Sequence, residues 1–130
     1  MDNGLLIMDF MAYKFEKLDC WTNAVRLATV VYNLIDKYPE KEKFALSSQT
    51  TRTVVSISAN IAEGYSRSSK KDFSRFLDIA LGSSFELETL LLIALDRKYL
   101  SLQGKIVVSS LSELIVKQVY GLKRKLNYEK

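Results

Sequence analysis

The chain has 130 residues, 48% hydrophobic and 26% charged, with 19 basic and 15 acidic side chains and a net charge of +4. That size suits one domain able to bury a core, and the composition is that of a packed protein rather than a disordered one. With no histidine and a single cysteine, Cys20, an intramolecular disulfide and a thiolate cluster within one subunit are excluded, and the commonest metal ligand and general base are missing.

Residues 1–12 carry Leu5, Leu6, Ile7, Met8 and Met11 without a basic leader or a long apolar run. They read as a flexible lead-in rather than a signal peptide, followed by one domain over residues 13–130. Met8 and Met11 offer the second reading of a cover for an apolar surface. No apolar run reaches membrane-spanning length, so a cytoplasmic protein with no membrane partner is the expectation.

The first helix is expected from an N-cap at Asp19 to about residue 38, where Pro39 interrupts it. Trp21, Ala24, Val25, Ala28, Val31, Tyr32 and Ile35 recur at spacings of three and four, the period of one helix face. A second helix is expected over about 43–63, ended by Gly64 as a left-handed C′ residue, with Phe44, Thr51, Val54, Val55, Ser58, Ile61 and Ala62 on its buried side. The Thr- and Val-rich stretch 50–57 imitates a strand, but clean alternation is missing and helical spacing continues on both sides. Ser69 caps a third helix that runs to about residue 98, with Phe73, Phe76, Leu77, Ala80, Ser84, Leu87, Leu91, Ala94 and Leu95 inward. Within it Gly82 costs helix propensity, which close approach of a neighbouring helix would justify. Ser101 caps the fourth, carrying Val108, Leu111, Ile115, Val119, Leu122 and Leu126 inward. Four amphipathic helices with short connections define an all-α, antiparallel up-down-up-down four-helix bundle.

Two helices hold more apolar surface than one core stripe needs. Leu27, Val30 and Leu34 on the first, and Leu81, Phe85 and Leu92 on the third, are candidates for an oligomer interface, the alternative being ordinary surface hydrophobicity. The most distinctive polar stretch is on the second helix. Arg52, Ser56, Asn60 and Glu63 share a face at spacings of four, four and three, followed by Gly64 and Tyr65. Such a patch either locks the helix against the next turn through hydrogen bonds or recognises a ligand or partner.

Catalysis has little to stand on. Ser56 and Ser58 have no histidine base and no nucleophile-elbow glycines. Glu63, Asp72 and Asp78 lack the Glu-x-x-His pairing of di-iron bundles, and no glycine loop is shaped for phosphate. No enzyme activity, metal or cofactor is therefore expected. Basic residues, by contrast, are unevenly placed. Residues 101–130 hold six basic and two acidic residues, which accounts for the whole net charge. Lys117, Lys123, Arg124 and Lys125 there, with Arg67, Lys70, Lys71 and Arg75 around the third helix's start, are candidate nucleic-acid contacts; a solvated surface is the competing reading. No base-reading motif accompanies them. Tyr13, Tyr65, Tyr99 and Tyr128 are either stacking partners or helix-junction packing.

Three ordered segments resemble a known family. They are Tyr13-Lys14-Phe15-Glu16-Lys17-Leu18-Asp19-Cys20-Trp21; Phe44-Ala45-Leu46-Ser47-Ser48-Gln49 with Arg52 and the run Val55 to Tyr65; and Arg75-Phe76-Leu77, Ile79 to Ser83 and Glu86-Leu87-Glu88-Thr89. Together they resemble the bacterial 23S rRNA intervening-sequence protein family, also called the S23 ribosomal protein family. The family more often has proline where this chain has Ser58, and arginine near Thr51. The resemblance implies an antiparallel four-helix bundle in a ring-like homopentamer. It does not make the chain a ribosomal component, since the family name comes from reading frames inside ribosomal RNA gene insertions. Related bundles look like the accessory proteins of diversity-generating retroelements, which associate with a reverse transcriptase and bind nucleic acid. The expected function is thus a non-catalytic homo-oligomeric scaffold or accessory protein that binds RNA or DNA through basic surfaces. The alternative is a protein–protein interaction module that binds no nucleic acid.

Overall fold

The structure, a computed structural model, describes residues 18–128. The lead-in of residues 1–12, the stretch 13–17, residues 129–130 and the Tyr128 side chain lie outside the described residues. Four α-helices make up the rest: α1 (Asp19–Ile35), α2 (Leu46–Tyr65), α3 (Lys70–Asp96) and α4 (Leu102–Tyr128), with one short 3-10 turn, Glu40–Glu42, before α2. No strand occurs among the described residues. Each helix packs on its chain neighbours, and α1 closes the ring against α4. Antiparallel register is fixed by contacts such as Asn23 to Gln118 across α1 and α4, and Gln49 to Glu86 across α2 and α3. This is the expected up-down-up-down bundle.

Its core follows a 3.5-residue repeat. Ser47, Thr50, Val54, Ile57, Ile61 and Gly64 of α2 are buried at alternating spacings of three and four, and so are Leu77, Ala80, Ser84, Leu87, Leu91 and Ala94 of α3. That repeat keeps one seam of each helix facing its neighbour, as knobs-into-holes packing requires. Small polar residues can occupy the seam because their hydroxyls donate back one turn: Thr50 to the Leu46 carbonyl at 2.7 Å, Thr53 to Gln49 at 2.8 Å and Ser84 to Ala80 at 3.0 Å. The expected inner face of α2 is accordingly rotated. Phe44 is 89% exposed and Val55 42% exposed, whereas Thr50 and Ile57 are buried. Of the expected inner face Val54 and Ile61 are buried, and the structure turns Thr50, Thr53 and Ile57 inward with them in place of Phe44 and Val55.

Gly64 shows how close that approach is. It is helical and buried, and none of the described glycines has a positive φ, so the expected left-handed C′ role is not its role. A Cβ at Gly64 would lie 2.9 Å from Phe73 Cδ1, 2.9 Å from Phe76 Cβ and 3.2 Å from the Phe73 carbonyl oxygen. The left-handed position is found instead at Lys98, φ 64°, after α3. There the Tyr99 and Lys98 amides donate to the Ala94 and Leu95 carbonyls, closing the helix in a Schellman arrangement. Gly82 departs from expectation in the opposite sense: a Cβ there meets nothing within 4 Å. No helix of the same subunit approaches it.

The remaining boundaries follow from caps. Leu18, rather than Asp19, is the N-cap of α1, and Asp19 supplies an acid in the first turn. Ser69 accepts from the Asp72 amide at 3.0 Å, and Ser101 from the Gly104 amide at 3.0 Å. The helix α1 stops at Ile35 rather than near residue 38, because Tyr38 turns inward to meet Tyr99 at 5.7 Å between ring centroids. Tyr99 in turn donates to Glu42 at 3.0 Å, locking the end of the bundle where α1 and α3 finish. At the other end α1 and α3 begin and α2 and α4 finish.

The two glycines yield opposite expectations. Gly64→Ala should lower stability by about 1–3 kcal/mol, because Phe76 and the α3 backbone must shift. Gly82→Ala should raise it by roughly 0.5–1 kcal/mol through helix propensity. Urea denaturation of both variants checks this; a neutral Gly64→Ala would contradict the close α2–α3 contact.

Candidate nucleic-acid interface

The polar residues of α2 do not form one pocket. Ser56 and Ser83 share a hydrogen bond at 2.9 Å, and the Asn60 side-chain amide donates to the Ser56 carbonyl at 2.8 Å and to its hydroxyl at 2.9 Å. Arg52 is exposed and donates to Gln49 at 3.0 Å, and Gln49 donates to Glu86 at 2.8 Å. Glu63 pairs with Arg67 one turn on. Tyr65 meets Phe73 edge-on at 5.9 Å between centroids. Of these, the Ser56–Ser83 and Gln49–Glu86 hydrogen bonds and the Tyr65–Phe73 ring contact join α2 to α3, while the others are local to α2 and the turn after it. They are part-buried or exposed polar ties, and the inter-helix ones favour one register of the two helices.

The seam ends in a short turn, and that turn carries cations. Gly64 lets α2 and α3 meet closely, so Arg67, Lys70, Lys71 and Arg75 fall at one end of the bundle. Antiparallel α4 finishes at the same end and brings Lys123, Arg124 and Lys125 there; Lys117 lies about 10 Å back along α4 from Arg124. An open cleft of about 890 Å³ lies between the start of α3 and the end of α4, lined in part by Ser69, Lys70, Lys71, Arg75, Asp78 and Asn127.

Half of the candidate cations are already engaged. Arg67 pairs with Glu63, Lys123 with Asp78 across α3 and α4, Arg75 with Asp72 at 3.0 Å, and Lys117 with Glu113 at 3.4 Å. Arg67 and Arg75 also rest on the Phe76 ring, 4.7 and 4.4 Å from its centroid. Among the described residues, Lys70, Lys71, Arg124 and Lys125 have no carboxylate within ion-pair distance. Lys70 and Lys71 also stand in the first turn of α3, where the helix dipole is positive and disfavours a cation.

The candidate oligomer residues separate as well. Leu27 is fully buried and Leu81 6% exposed, both within the bundle's own core, so neither is available to a neighbouring subunit. Val30 and Leu34 are half-buried and pack against that core. Phe85 and Leu92 are 55% and 53% exposed, and these two retain the character of an interface. Leu27 and Leu81 share an angular sector with the rest of the core, which spacing alone does not divide.

Nothing in this arrangement forms a nucleophile–base pair. Cys20 is buried, and desolvation pushes its thiol up to about 11, so it stays protonated near neutrality. Among the described residues no three of His, Cys, Asp or Glu cluster to hold a metal ion, and no helix is long and apolar enough to cross a membrane. The acids Asp72 and Asp78 inside the basic end, and Tyr120 on its α4 side, were not among the expected site residues. Their signal was the spacing: Asp78 lies eight residues beyond Lys70, and Tyr120 and Asn127 fall on the same α4 face as Lys123.

Residues 16–121 match the family described as 23S rRNA-intervening sequence protein, and the chain belongs to that family. A crystallised protein of unknown function from the S23 ribosomal protein family of Bacteroides thetaiotaomicron VPI-5482 is similar, with 26% identity and a TM-score of 0.75. The match covers 81% of this chain and 95% of that one. None of the curated proteins matches.

Proposed function

We propose that the protein is a non-catalytic, cytoplasmic, homo-oligomeric scaffold whose basic end binds the phosphate backbone of RNA or DNA. One observation carries this reading: Lys70, Lys71, Arg124 and Lys125 gather at one end of the bundle without carboxylate partners among the described residues. Phosphate binding by such groups releases counterions and falls steeply with salt. Assembly into a ring, as the family resemblance implies, repeats the end several times and multiplies weak contacts by raising the local concentration of sites. Phe85 and Leu92 supply apolar surface for that assembly. The same two residues support the alternative of a protein-interaction module, in which case nucleic acid is not retained.

Two measurements follow. Oligonucleotide affinity should fall with salt with a log–log slope of about −3 per engaged subunit for a single strand, if all four cations contact phosphate. Lys71→Glu should weaken that binding while raising helix stability by about 0.3–1 kcal/mol, since the acid suits the α3 N-terminus. Loss of binding together with loss of stability would point to a structural role, and absence of binding to RNA and DNA at low salt would reject the reading. Separately, mass in solution should correspond to about five subunits; a stable monomer at micromolar concentration would contradict the assembly.

A further inference from the structure

We infer that the nucleic acid accepted at the basic end is a single strand, with a base stacked on Tyr120. This deepens the proposed function and rests on it. Two observations point the same way. The first is shape. The cations of α3 and α4 stand on helices packed side by side, tied by Lys123 to Asp78 and by Lys105 to Glu88 at 3.1 Å. Each helix with its side chains is about 10 Å across, so the pair is wider than the roughly 12 Å major groove of a duplex. Among the described residues neither helix projects alone, and none of the four offers a free element for insertion into a duplex groove. A backbone entering the cleft between α3 and α4 can instead follow Lys70 and Lys71 on the α3 side and pass Asn127 on the α4 side.

The second observation is an exposed aromatic ring on α4, about 10 Å along the helix from Asn127, which lines the cleft. Tyr120 is 43% exposed, and no ring or cation contact engages it among the described residues. Tyr120, Lys123 and Asn127 recur at i, i+3 and i+7, one face of α4, and Asn127 lines the cleft. Lys117 and Arg124 lie three residues before and four after Tyr120, on the adjacent turns. An exposed ring bracketed by cations at one-turn spacing is the arrangement by which stacking and phosphate contact combine on a single strand. A base on Tyr120 would sit between Arg124, which has no carboxylate partner among the described residues, and Lys117, whose ion pair with Glu113 a phosphate would displace. Stacking of this kind tolerates any base, because every base has a π-face.

The test compares three probes of equal length by fluorescence anisotropy with the full oligomer: a single-stranded oligothymidylate, the same backbone with abasic sites, and a duplex. The single strand is expected to bind about ten-fold more tightly than the abasic backbone, and more tightly than the duplex. Tyr120→Ala should remove the advantage over the abasic backbone, whereas Tyr120→Phe should keep it. Lys70→Ala with Lys71→Ala should weaken all three probes together. Equal affinity for the single strand and the abasic backbone, or an unaffected Tyr120→Ala, overturns the stacking while leaving phosphate binding in place. Failure of all three probes to bind overturns the proposed function as well.

Discussion

The close approach of α2 and α3 at Gly64 is the constraint on which the rest of the bundle depends. A side chain there would meet Phe73 and Phe76 at 2.9 Å, so the two helices share a line of contact that only glycine permits. Above that contact the Ser56–Ser83 and Gln49–Glu86 hydrogen bonds tie the two helices in register, and below it a short turn reverses the chain. The turn fixes where Arg67, Lys70, Lys71 and Arg75 emerge. Antiparallel topology then delivers the basic end of α4 to the same place. One packing requirement thereby sets both the fold and the charge distribution.

The basic end is built from two kinds of cation. Arg67, Arg75 and Lys123 are tied to neighbouring acids and, for the arginines, to the Phe76 ring. Exposed pairs of this sort add little stability, yet they orient side chains and restrain the surface. Lys70, Lys71, Arg124 and Lys125 are left to solvent, and two of them oppose the α3 dipole. A protein that tolerates cations at a helix N-terminus loses a small amount of stability and gains positive potential at one place.

Much of the fold was legible in the chain. Helical spacing identified four helices, and Ser69 and Ser101 cap where their positions indicated. The misread parts have specific causes. Gly64 at the end of an apolar run looks the same whether it turns the chain or admits a neighbouring helix, and only the α3 aromatics distinguish the two. Thr50 and Thr53 are buried because back-bonded hydroxyls leave no unsatisfied donor, whereas Val55 and Phe44 are outside; apolarity alone ranks them in reverse. Leu27 was assigned outward because two adjacent stripes on α1 both enter the core. At the candidate site, the clustering of cations could be anticipated, but their neutralisation by Asp72 and Asp78 depends on side chains meeting across turns and helices. Tyr120 gained meaning only once α4 was seen to line the cleft through Asn127.

The proposed function is tested most directly by where a single strand contacts the protein. Photo-crosslinking a bromouracil-substituted single strand to the purified protein, followed by peptide mass mapping, reads that location directly. Crosslinked peptides should come from the start of α3 around Lys70 and Arg75 and from the last turns of α4 around Tyr120 and Arg124. Crosslinks confined to the opposite end, around Glu42 and Tyr99, would contradict the account.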